Sequence, residues 1–349
     1  MVARRCSRAV VLLALASACG QGAPPAGGSD GLPSALVGPF RLLRKGAEGK
    51  SAPQVLTTSG GKWFNPSALD LDGAQATLPL AMYVDTGDPR SIARFVLPYG
   101  PSVAGAGASR VSVLTASLPW EGKEVAHPFA MRVGDEVWLY YAASGCVGRA
   151  VSKDGLSFEK HPDPVLCGNK DAVPWENGAL TGPAVYRARD GSYRLLYESG
   201  GHIGEATSPD GLSFVRTGAP LLSPAPSAEP FDDVAVGDPH PLLGQTPEGE
   251  PVTYVYYTGT SSTKHTGIGL AARFGDAGPL VRAAQPVLTR YEARSPSVIR
   301  NGPVTLLYAG GRTLEASDTS LGGVVGAISP ATTDLPGGDA EPPEEAAAP

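Results

Sequence analysis

Two carboxylates in this sequence have neighbours that could suit them to acid–base chemistry. Asp238 lies in the segment VGDPHP, and His240, two residues later, is expected on the same face of an extended strand. Glu176 directly follows Trp175, whose ring could form an apolar wall that raises the pKa of a carboxyl group. One protonated and one ionised carboxyl in the same site can act as general acid and general base. Asp238 and Glu176 are therefore the candidate catalytic residues.

Both candidates also have a structural interpretation. Asp238 could accept backbone N–H groups at the start of a strand. Glu121 and Asp232 repeat the place of Glu176 after an aromatic residue. Because such recurrence favours an architectural role, a purely structural Glu176 remains the alternative.

The other charged and metal-ligating residues give weaker indications. Glu292 and Arg294 lie in the segment YEARSPS, where the arginine could pair with the glutamate or bind an anionic substrate. The five histidines lack the close spacing of a zinc site, and no glycine-rich phosphate loop or Ser-His-Asp order stands out. The sequence therefore predicts neither a metal nor an organic cofactor.

The elements that must position these residues recur along the chain. Short apolar strands follow five prolines at intervals of 62, 55, 56 and 57 residues, namely Pro66, Pro128, Pro183, Pro239 and Pro296. In the middle repeats, a second strand ends in tyrosine, a third begins near a glycine, and a fourth carries Pro-Val-Leu or Pro-Leu-Leu. Four short strands per repeat are typical of a propeller blade. The sequence thus predicts an all-β fold, a five-bladed β-propeller of four-stranded antiparallel blades. A β-sandwich or two stacked β domains is the alternative.

Glycines and turns within the repeat carry further expectations. Asp154-Gly155 and Asp210-Gly211 are hairpin signals, because both residue types tolerate the positive φ of a two-residue turn. Phe158 and Phe214, just after these turns, are expected to pack between neighbouring blades. The glycines that lead the third strand are expected to permit close backbone approach near the propeller axis: Gly148, Gly204, Gly269 and Gly326.

The two ends of the chain differ in composition from the repeats. Residues 1–19 have a basic start and a short apolar run, as a secretory signal peptide does. The segment LASAC, ending at Cys19, resembles the lipobox of bacterial lipoproteins, which implies that Cys19 carries the lipid. Residues 20–35 are predicted to form a flexible tether, residues 36–331 the propeller, and residues 332–349 a disordered acidic tail. Plain secretion is the alternative to lipidation.

Charge and cysteine content limit the partners and the compartment. The net charge of −6 becomes −9 once the three arginines of the signal segment are removed, which argues against nucleic acid and against a membrane contact other than the N-terminal lipid. Cys146 and Cys167 lie in the same repeat, and an exported protein would oxidise such a pair into a disulfide if they are within reach. Two separate buried thiols are the alternative. The chain is expected to be a monomer.

The repeat resembles that of the five-bladed propeller glycosidases and their relatives. The shared features are an aromatic-acid pair, the anchor proline, a strand ending in tyrosine, Gly-x-Ala-x-Ser, Asp-Gly-Leu-x-Phe and Pro-x-Leu, between Pro66 and Ser329. That group includes the arabinanases and xylosidases, the invertases and levansucrases, and the mannoside phosphorylases. The resemblance implies a carbohydrate ligand, with Trp175 as a platform for a sugar ring.

The resemblance also implies where the site lies. In these families the residue before each anchor proline often faces an axial pocket, and here those residues are Asn65, His127, Gly182, Asp238 and Ser295. Only Asp238 is a carboxylate, and Asn65 stands where the family usually has its catalytic aspartate; Asp70, Asp72 or Asp85 could substitute for it. The implied substrate-binding residues are Asn65, His127, His240, Trp175, Glu292 and Arg294. His127 could bind a sugar hydroxyl or a central ion, or serve a structural role.

Three functions remain open from the sequence. The first is a glycoside hydrolase of the cell envelope that acts on a poly- or oligosaccharide. The second is a non-catalytic propeller that binds glycan or protein at the same pocket, and the third is a scaffolding lipoprotein. All three are expected at the outer membrane or cell surface, with a periplasmic or secreted protein as the alternative.

Overall fold

The described part of the chain is built almost entirely of β-strands. The computed structural model describes residues 40–42, 54–57, 63–70, 80–97, 110–225, 231–245, 249–283, 285–288, 292–301, 304–311 and 323–329. The predicted signal segment with Cys19, the tether and the acidic tail lie outside these residues, as does Asp72. A single 3-10 turn, Pro119–Glu121, interrupts the strands of the described ranges. Among these residues, no helix has the length and apolar character needed to cross a membrane.

The strands form five antiparallel sheets, two of which come from the first half of the chain. The chain begins with β1 (Arg41–Leu42) and β2 (Gln54–Thr57), which join the last sheet. Blade 1 contains β3 (Trp63–Asp70), β4 (Leu80–Thr86), β5 (Ser91–Leu97) and β6 (Val111–Leu114). Blade 2 contains β7 (Ala126–Val133), β8 (Glu136–Ala143) and β9 (Cys146–Ser152), with β10 (Glu159–Lys160) and β11 (Leu166–Cys167) both paired to β9.

The other three sheets follow the same inside-to-outside order. Blade 3 contains β12 (Thr181–Arg187), β13 (Tyr193–Ser199), β14 (His202–Ser208) and β15 (Val215–Arg216). Blade 4 contains β16 (Ala235–Gln245), β17 (Pro251–Thr260), β18 (Thr266–Phe274) and β19 (Val281–Arg282). The composite sheet contains β20 (Arg294–Asn301), β21 (Val304–Gly311) and β22 (Gly323–Ser329), with β1 and β2 paired to β22.

The structure confirms an all-β propeller of four-stranded antiparallel blades, but it corrects the number of blades built from consecutive strands. That number is four rather than the predicted five. In the described ranges, the N-terminal strands β1 and β2 form the outer edge of the last sheet, where both pair with β22. This sheet is therefore assembled from two distant parts of the chain.

The anchor prolines lie at a bulge in the first, innermost strand of every sheet. In four of these strands the register shifts between the residues that flank the X-Pro pair. In blade 1 it shifts between Trp63 and Pro66. The residue before the proline has positive φ at four of the five sites, namely His127 (49°), Gly182 (52°), Asp238 (45°) and Ser295 (52°). A proline cannot donate to the strand ladder, so the bulge both accommodates it and turns the preceding residue out of the sheet.

Three stacked aromatic pairs fill the region outside the second strands. Trp120 stacks on Tyr141, Trp175 on Tyr197 and Phe231 on Tyr257, with ring centroids 6.0, 6.0 and 6.1 Å apart. A Cβ atom on the third-strand glycines of these blades would lie under 3.0 Å from atoms of those rings. The glycines concerned are Gly148, Gly204 and Gly269. The expectation that they permit close approach at the axis is wrong, because they make room for the stacked rings.

The predicted Asp-Gly turns join neighbouring blades. Asp154 accepts N–H bonds from Leu156 and Ser157 at 2.8 Å, and these bonds lower its pKa to about 2. Tyr83 of blade 1 donates to the carbonyl of Gly155 at 2.8 Å, and Phe158 packs edge-on against the same tyrosine. Blade 3 repeats the arrangement through Asp210-Gly211, Phe214 and Tyr140. The hairpins and the packing of both phenylalanines are confirmed. The two-residue form of the turns is wrong, because the loops span residues 153–158 and 209–214 and only their glycines, Gly155 and Gly211, have positive φ.

The predicted disulfide between Cys146 and Cys167 is also present. It joins β9 to β11 across a directly opposed pair of residues. The disulfide closes a loop between cysteines that are 21 positions apart in the sequence. In the unfolded chain it keeps the ends of this loop together, which lowers the conformational entropy of the unfolded state.

Replacing both cysteines with alanine should lower the free energy of unfolding by about 3 kcal/mol, the loop-entropy effect for a ring of this size. Urea unfolding followed by tryptophan fluorescence measures the change. In the unsubstituted protein, reduction should shift the transition by a comparable amount. An unchanged midpoint after verified reduction would show that the bond does not constrain the unfolded chain.

Candidate functional site

The five residues before the anchor prolines meet at one end of the propeller axis. They line a cavity of about 30 Å³, called here the axial cavity. A space of this size holds about one water molecule. Its lining residues are Asn65, Pro66, His127, Pro128, Phe129, Gly182, Pro183, Asp238, Pro239, His240, Ser295 and Pro296.

Polar side chains on three second strands surround the axial cavity and are called here the collar: Asp85, Glu198 and Thr258. Each accepts the backbone N–H of the pre-proline residue in the next sheet. His127 donates to Asp85 Oδ2 at 3.2 Å, Asp238 to Glu198 Oε2 at 3.1 Å, and Ser295 to Thr258 Oγ1 at 2.7 Å. These acceptors are needed because the bulge takes the pre-proline N–H out of the ladder.

The carboxylate of Asp85 is engaged in structural hydrogen bonds to two blades. Its carboxylate accepts from the backbone N–H of Asn65 at 3.1 Å, the side-chain amide of Asn65 at 2.6 Å and the N–H of His127. Its side chain is completely buried, and Arg90 lies 3.8 Å away. Asp85 therefore stands beside Asn65, where a substitute carboxylate was expected, but it orders the backbone of two blades.

His127 and Asp238 form an ion pair across the axis. The distance from His127 Nδ1 to Asp238 Oδ1 is 3.3 Å, and Thr258 donates to Asp238 Oδ2 at 3.1 Å. Burial acts to raise the pKa of Asp238, but the contacts with His127, Ser295 and Thr258 together outweigh it, so the pKa lies below its usual value. Burial likewise acts to lower the pKa of His127, but Asp238 with the charges of Asp85 and Glu198 outweighs it and raises that pKa. Each partner therefore favours the charged form of the other.

Glu198 has the opposite electrostatic environment from Asp238. Burial, followed by repulsion from the Asp238 charge, raises the pKa of Glu198 to about 7 despite the positive charges of His127 and Arg294. Its carboxylate lies against Gly237, where a Cβ atom would collide with Glu198 Oε2. Two carboxyl groups whose pKa values are shifted in opposite directions therefore lie on adjacent blades at one end of the axis.

Sequence reasoning missed Glu198, although a signal for it exists. Asp85, Glu198 and Thr258 are equivalent in register, each two residues after the second-strand residue that pairs with the first residue beyond the anchor proline. The segment LLYESG was interpreted only as a strand ending in tyrosine. Aligning the last residues of the second strands would have shown polar side chains at one position in three blades.

Glu176 lies in a structural ion cluster and does not line the axial cavity. Its carboxylate accepts from Tyr197 Oη at 2.9 Å, Arg216 Nε at 2.7 Å and the N–H of Asn169 at 3.0 Å. Burial acts to raise its pKa, but Arg216 and these hydrogen bonds outweigh it and lower the pKa. The expectation of a raised pKa at Glu176 is therefore wrong. Trp175 contributes its ring to the Tyr197 stack and donates to the Gly218 carbonyl at 2.9 Å.

The same cluster recurs in blades 2 and 4, as the repeated aromatic-acid pair suggested. Glu121 accepts from Tyr141 at 2.7 Å and pairs with Lys160, and Asp232 accepts from Tyr257 at 2.8 Å and pairs with Arg282. In each case the cation comes from the short outer strand. The acids therefore tie the fourth strand to the second.

The remaining predicted site residues differ in their relation to the cavity. His240 lines it and donates from Nε2 to the carbonyl of Val298 at 3.1 Å, and burial lowers its pKa to about 4. Arg294 is exposed at the start of β20, and its charge acts on Glu198. Glu292 is half-buried and Asp70 ends β3; neither lines the cavity. In the described ranges, no three His, Cys, Asp or Glu residues cluster as metal ligands would.

Comparison with known proteins reveals similarity of fold to carbohydrate-active enzymes. A glycoside hydrolase has a TM-score of 0.61 and 17% identity, over 84% of this chain and 92% of that chain. A thermostable family-43 glycoside hydrolase has a TM-score of 0.57 and 16% identity, over 79% and 91% of the two chains. A β-1,2-mannobiose phosphorylase from Listeria innocua has a TM-score of 0.55 and 14% identity, over 78% and 91%. The fold is thus that of a glycosidase-like propeller. No protein-family model and no curated protein matches the sequence.

Replacing Thr258 with valine should lower the free energy of unfolding by about 1–3 kcal/mol, because the buried N–H of Ser295 loses its acceptor. The Thr258→Ser variant keeps the hydroxyl and is the matched control. Urea denaturation of both variants measures the difference. Equal stability of the valine and serine variants would contradict the proposed role of the collar.

Proposed function

We propose that this protein acts on a poly- or oligosaccharide at the axial cavity, as a glycoside hydrolase of the cell envelope. The observation that carries the proposal is the opposite pKa shift of two neighbouring carboxyl groups. Glu198 has a pKa raised to about 7, whereas the pKa of Asp238 lies below its usual value. A glycoside hydrolase needs one carboxyl in each state.

In the proposed reaction, Glu198 is the general acid and Asp238 is the carboxylate. Glu198 donates its proton to the glycosidic oxygen as the bond from that oxygen to the anomeric carbon breaks. In the inverting form of the reaction, Asp238 takes a proton from the water whose oxygen bonds to the anomeric carbon. His127, 3.3 Å from Asp238, keeps that carboxylate ionised.

We also infer that the composite sheet acts as a fifth blade that closes the ring around this site. Ser295 donates to Asn65 Oδ1 at 2.5 Å, and the N–H of Ala68 donates to Ser297 Oγ at 2.9 Å. Both bonds join β3, the innermost strand of blade 1, to β20, the innermost strand of the composite sheet. The predicted arrangement of five units around the axis would place Asn65 beside Ser295.

The proposed location is the cell envelope, with Cys19 as the lipid attachment site. The disulfide between Cys146 and Cys167 supports this proposal, because such bonds persist in oxidising compartments. A lipid at Cys19 would make the membrane a partner only through the N-terminus.

A second candidate function is non-catalytic binding of a glycan or protein at the same end of the axis. Two observations support this candidate. First, the axial cavity measures only about 30 Å³. Second, Asn65 occupies the position where the propeller glycosidases that this chain resembles have a carboxylate. Asp85, the nearest substitute, is committed to backbone N–H groups.

Hydrolysis should be detected by incubating the purified protein with aryl-glycosides and with plant and bacterial glycans. For a substrate that is turned over, Asp238→Asn and Glu198→Gln should each lower kcat/KM by about 100-fold or more. Glu176→Gln is the matched control, expected to lower stability but not kcat/KM of the folded protein. An activity insensitive to both Asp238→Asn and Glu198→Gln would contradict the site, and binding without turnover would favour the second function.

The pH dependence of stability should report the ionisation of Glu198. Because its folded-state pKa is raised to about 7, the folded state binds the proton more tightly than the unfolded state does. The stabilisation is present below the unfolded-state pKa and is lost as pH rises to about 7. Between the unfolded-state pKa of Glu198 and about pH 7, urea unfolding should show a steeper fall of stability with pH for the unsubstituted protein than for Glu198→Gln. Parallel curves would contradict the raised pKa.

A further inference from the structure

A second and larger depression lies near the opposite end of blades 3 and 4 and is called here the basic groove. Its volume is about 560 Å³, within the usual range for small-molecule sites. The residues used in the argument are Tyr186, Arg189, Arg194, Leu243, Asp276 and Arg300. They come from blade 3, blade 4 and the composite sheet, so the groove lies where three sheets meet.

The basic groove is separate from the axial cavity. Strand β16 has Asp238 near its beginning and Leu243 near its end, and only the latter lines the groove. At about 3.3 Å per residue, the two positions are roughly 15 Å apart. None of the residues that line the axial cavity also lines the groove. A ligand in one site would therefore leave the other open.

The charge of the groove is opposite to that of the whole protein. Three arginines and one aspartate line it, whereas the chain has a net charge of −6. Arg189 and Arg300 are exposed, and neither forms a hydrogen bond or ion pair with another described residue. Arg194 contacts Asp190 at 3.4 Å, but its buried Nε atom has no hydrogen-bond partner in the described ranges.

This pattern differs from that of other arginines in the protein. Arg90, Arg216 and Arg282 each pair with a carboxylate in a structural cluster. Beneath the groove, Arg273 pairs with Glu205 at 2.8 Å, and Glu205 also accepts from the hydroxyl of Tyr186. Glu205 thus holds the guanidinium of Arg273, whereas Arg189 and Arg300, which line the groove, have no such carboxylate partner among the described residues.

We propose that the basic groove binds a ligand carrying a carboxylate or phosphate group. The planar fork of a guanidinium matches both oxyanions with two parallel hydrogen bonds, and here three such forks surround one depression. Leu243 supplies exposed apolar surface for the remainder of the ligand, and Asp276 can accept from its hydroxyl groups. This inference does not depend on hydrolysis at the axial cavity.

The test is isothermal titration calorimetry of the full protein with two anionic probes, trigalacturonate and glucose 6-phosphate. Galactotriose and glucose are the matched neutral controls. We expect at least one anionic probe to bind with a Kd below about 1 mM, weakening as salt is added. The neutral controls should not bind. Binding of only one anionic probe identifies carboxylate or phosphate as the group recognised.

Variants at exposed positions connect the binding to the groove. Arg189→Gln and Arg300→Gln should each weaken binding by about 10-fold, roughly one charge-assisted hydrogen bond. Lys153→Gln, the same charge change on the turn of blade 2, and Asp238→Asn in the axial cavity should leave the Kd unchanged. Absence of binding by both anions, or equal weakening by Lys153→Gln, would overturn the proposal. Loss of binding in Asp238→Asn alone would assign the anion to the axial cavity instead.

Discussion

The missing N–H of the anchor proline is the constraint on which the centre of this protein depends. Since the proline cannot pair, each innermost strand bulges there, and the preceding residue takes a positive φ at four sites. That residue turns toward the axis, but its own N–H loses its partner in the sheet. Asp85, Glu198 and Thr258 restore three of those bonds from the neighbouring blade. Blade assembly and the polarity of the axial site are thus consequences of the same backbone requirement.

The acids of this protein have two different roles because their surroundings differ. Glu121, Glu176 and Asp232 each accept from a tyrosine hydroxyl and pair with a cation from the outer strand, and these contacts hold the blade together. Hydrogen bonds to the ionised form also lower the pKa of Glu121 and Glu176. Glu198 is instead buried near the Asp238 charge, and both causes raise its pKa. A carboxylate paired with a cation is a poor proton donor, whereas one beside another carboxylate can keep its proton near neutral pH. The carboxyl groups suited to proton transfer are therefore those at the axis and not those of the outer ion clusters.

Much of the fold was predictable because its causes are local. Proline spacing, Asp-Gly signals and short apolar strands act within a few positions, and they predicted the four-stranded blades and the hairpins with Phe158 and Phe214. The disulfide was predicted from two cysteines in one repeat of an exported chain. The third-strand glycines were assigned the wrong cause, since the space is needed by two rings that only the folded blade brings together. For Gly148 these are Tyr141 of the neighbouring strand and Trp120, which lies much earlier in the sequence. The edge of the last sheet was also missed, because pairing of β1 and β2 with β22 joins the two ends of the chain.

The sequence by itself determined the repeating unit, the anchor prolines and the identity of the five residues before them. These features were predictable because the backbone preferences of proline and glycine do not depend on distant parts of the chain. Only the tertiary structure decided which carboxylates share an environment. Glu176 and Glu198 are both glutamates of the third repeat, yet Arg216 lowers the pKa of the first, while burial and Asp238 raise that of the second. Electrostatic interaction depends on distance in space and on exclusion of water, and neither quantity can be obtained from the order of residues along a chain.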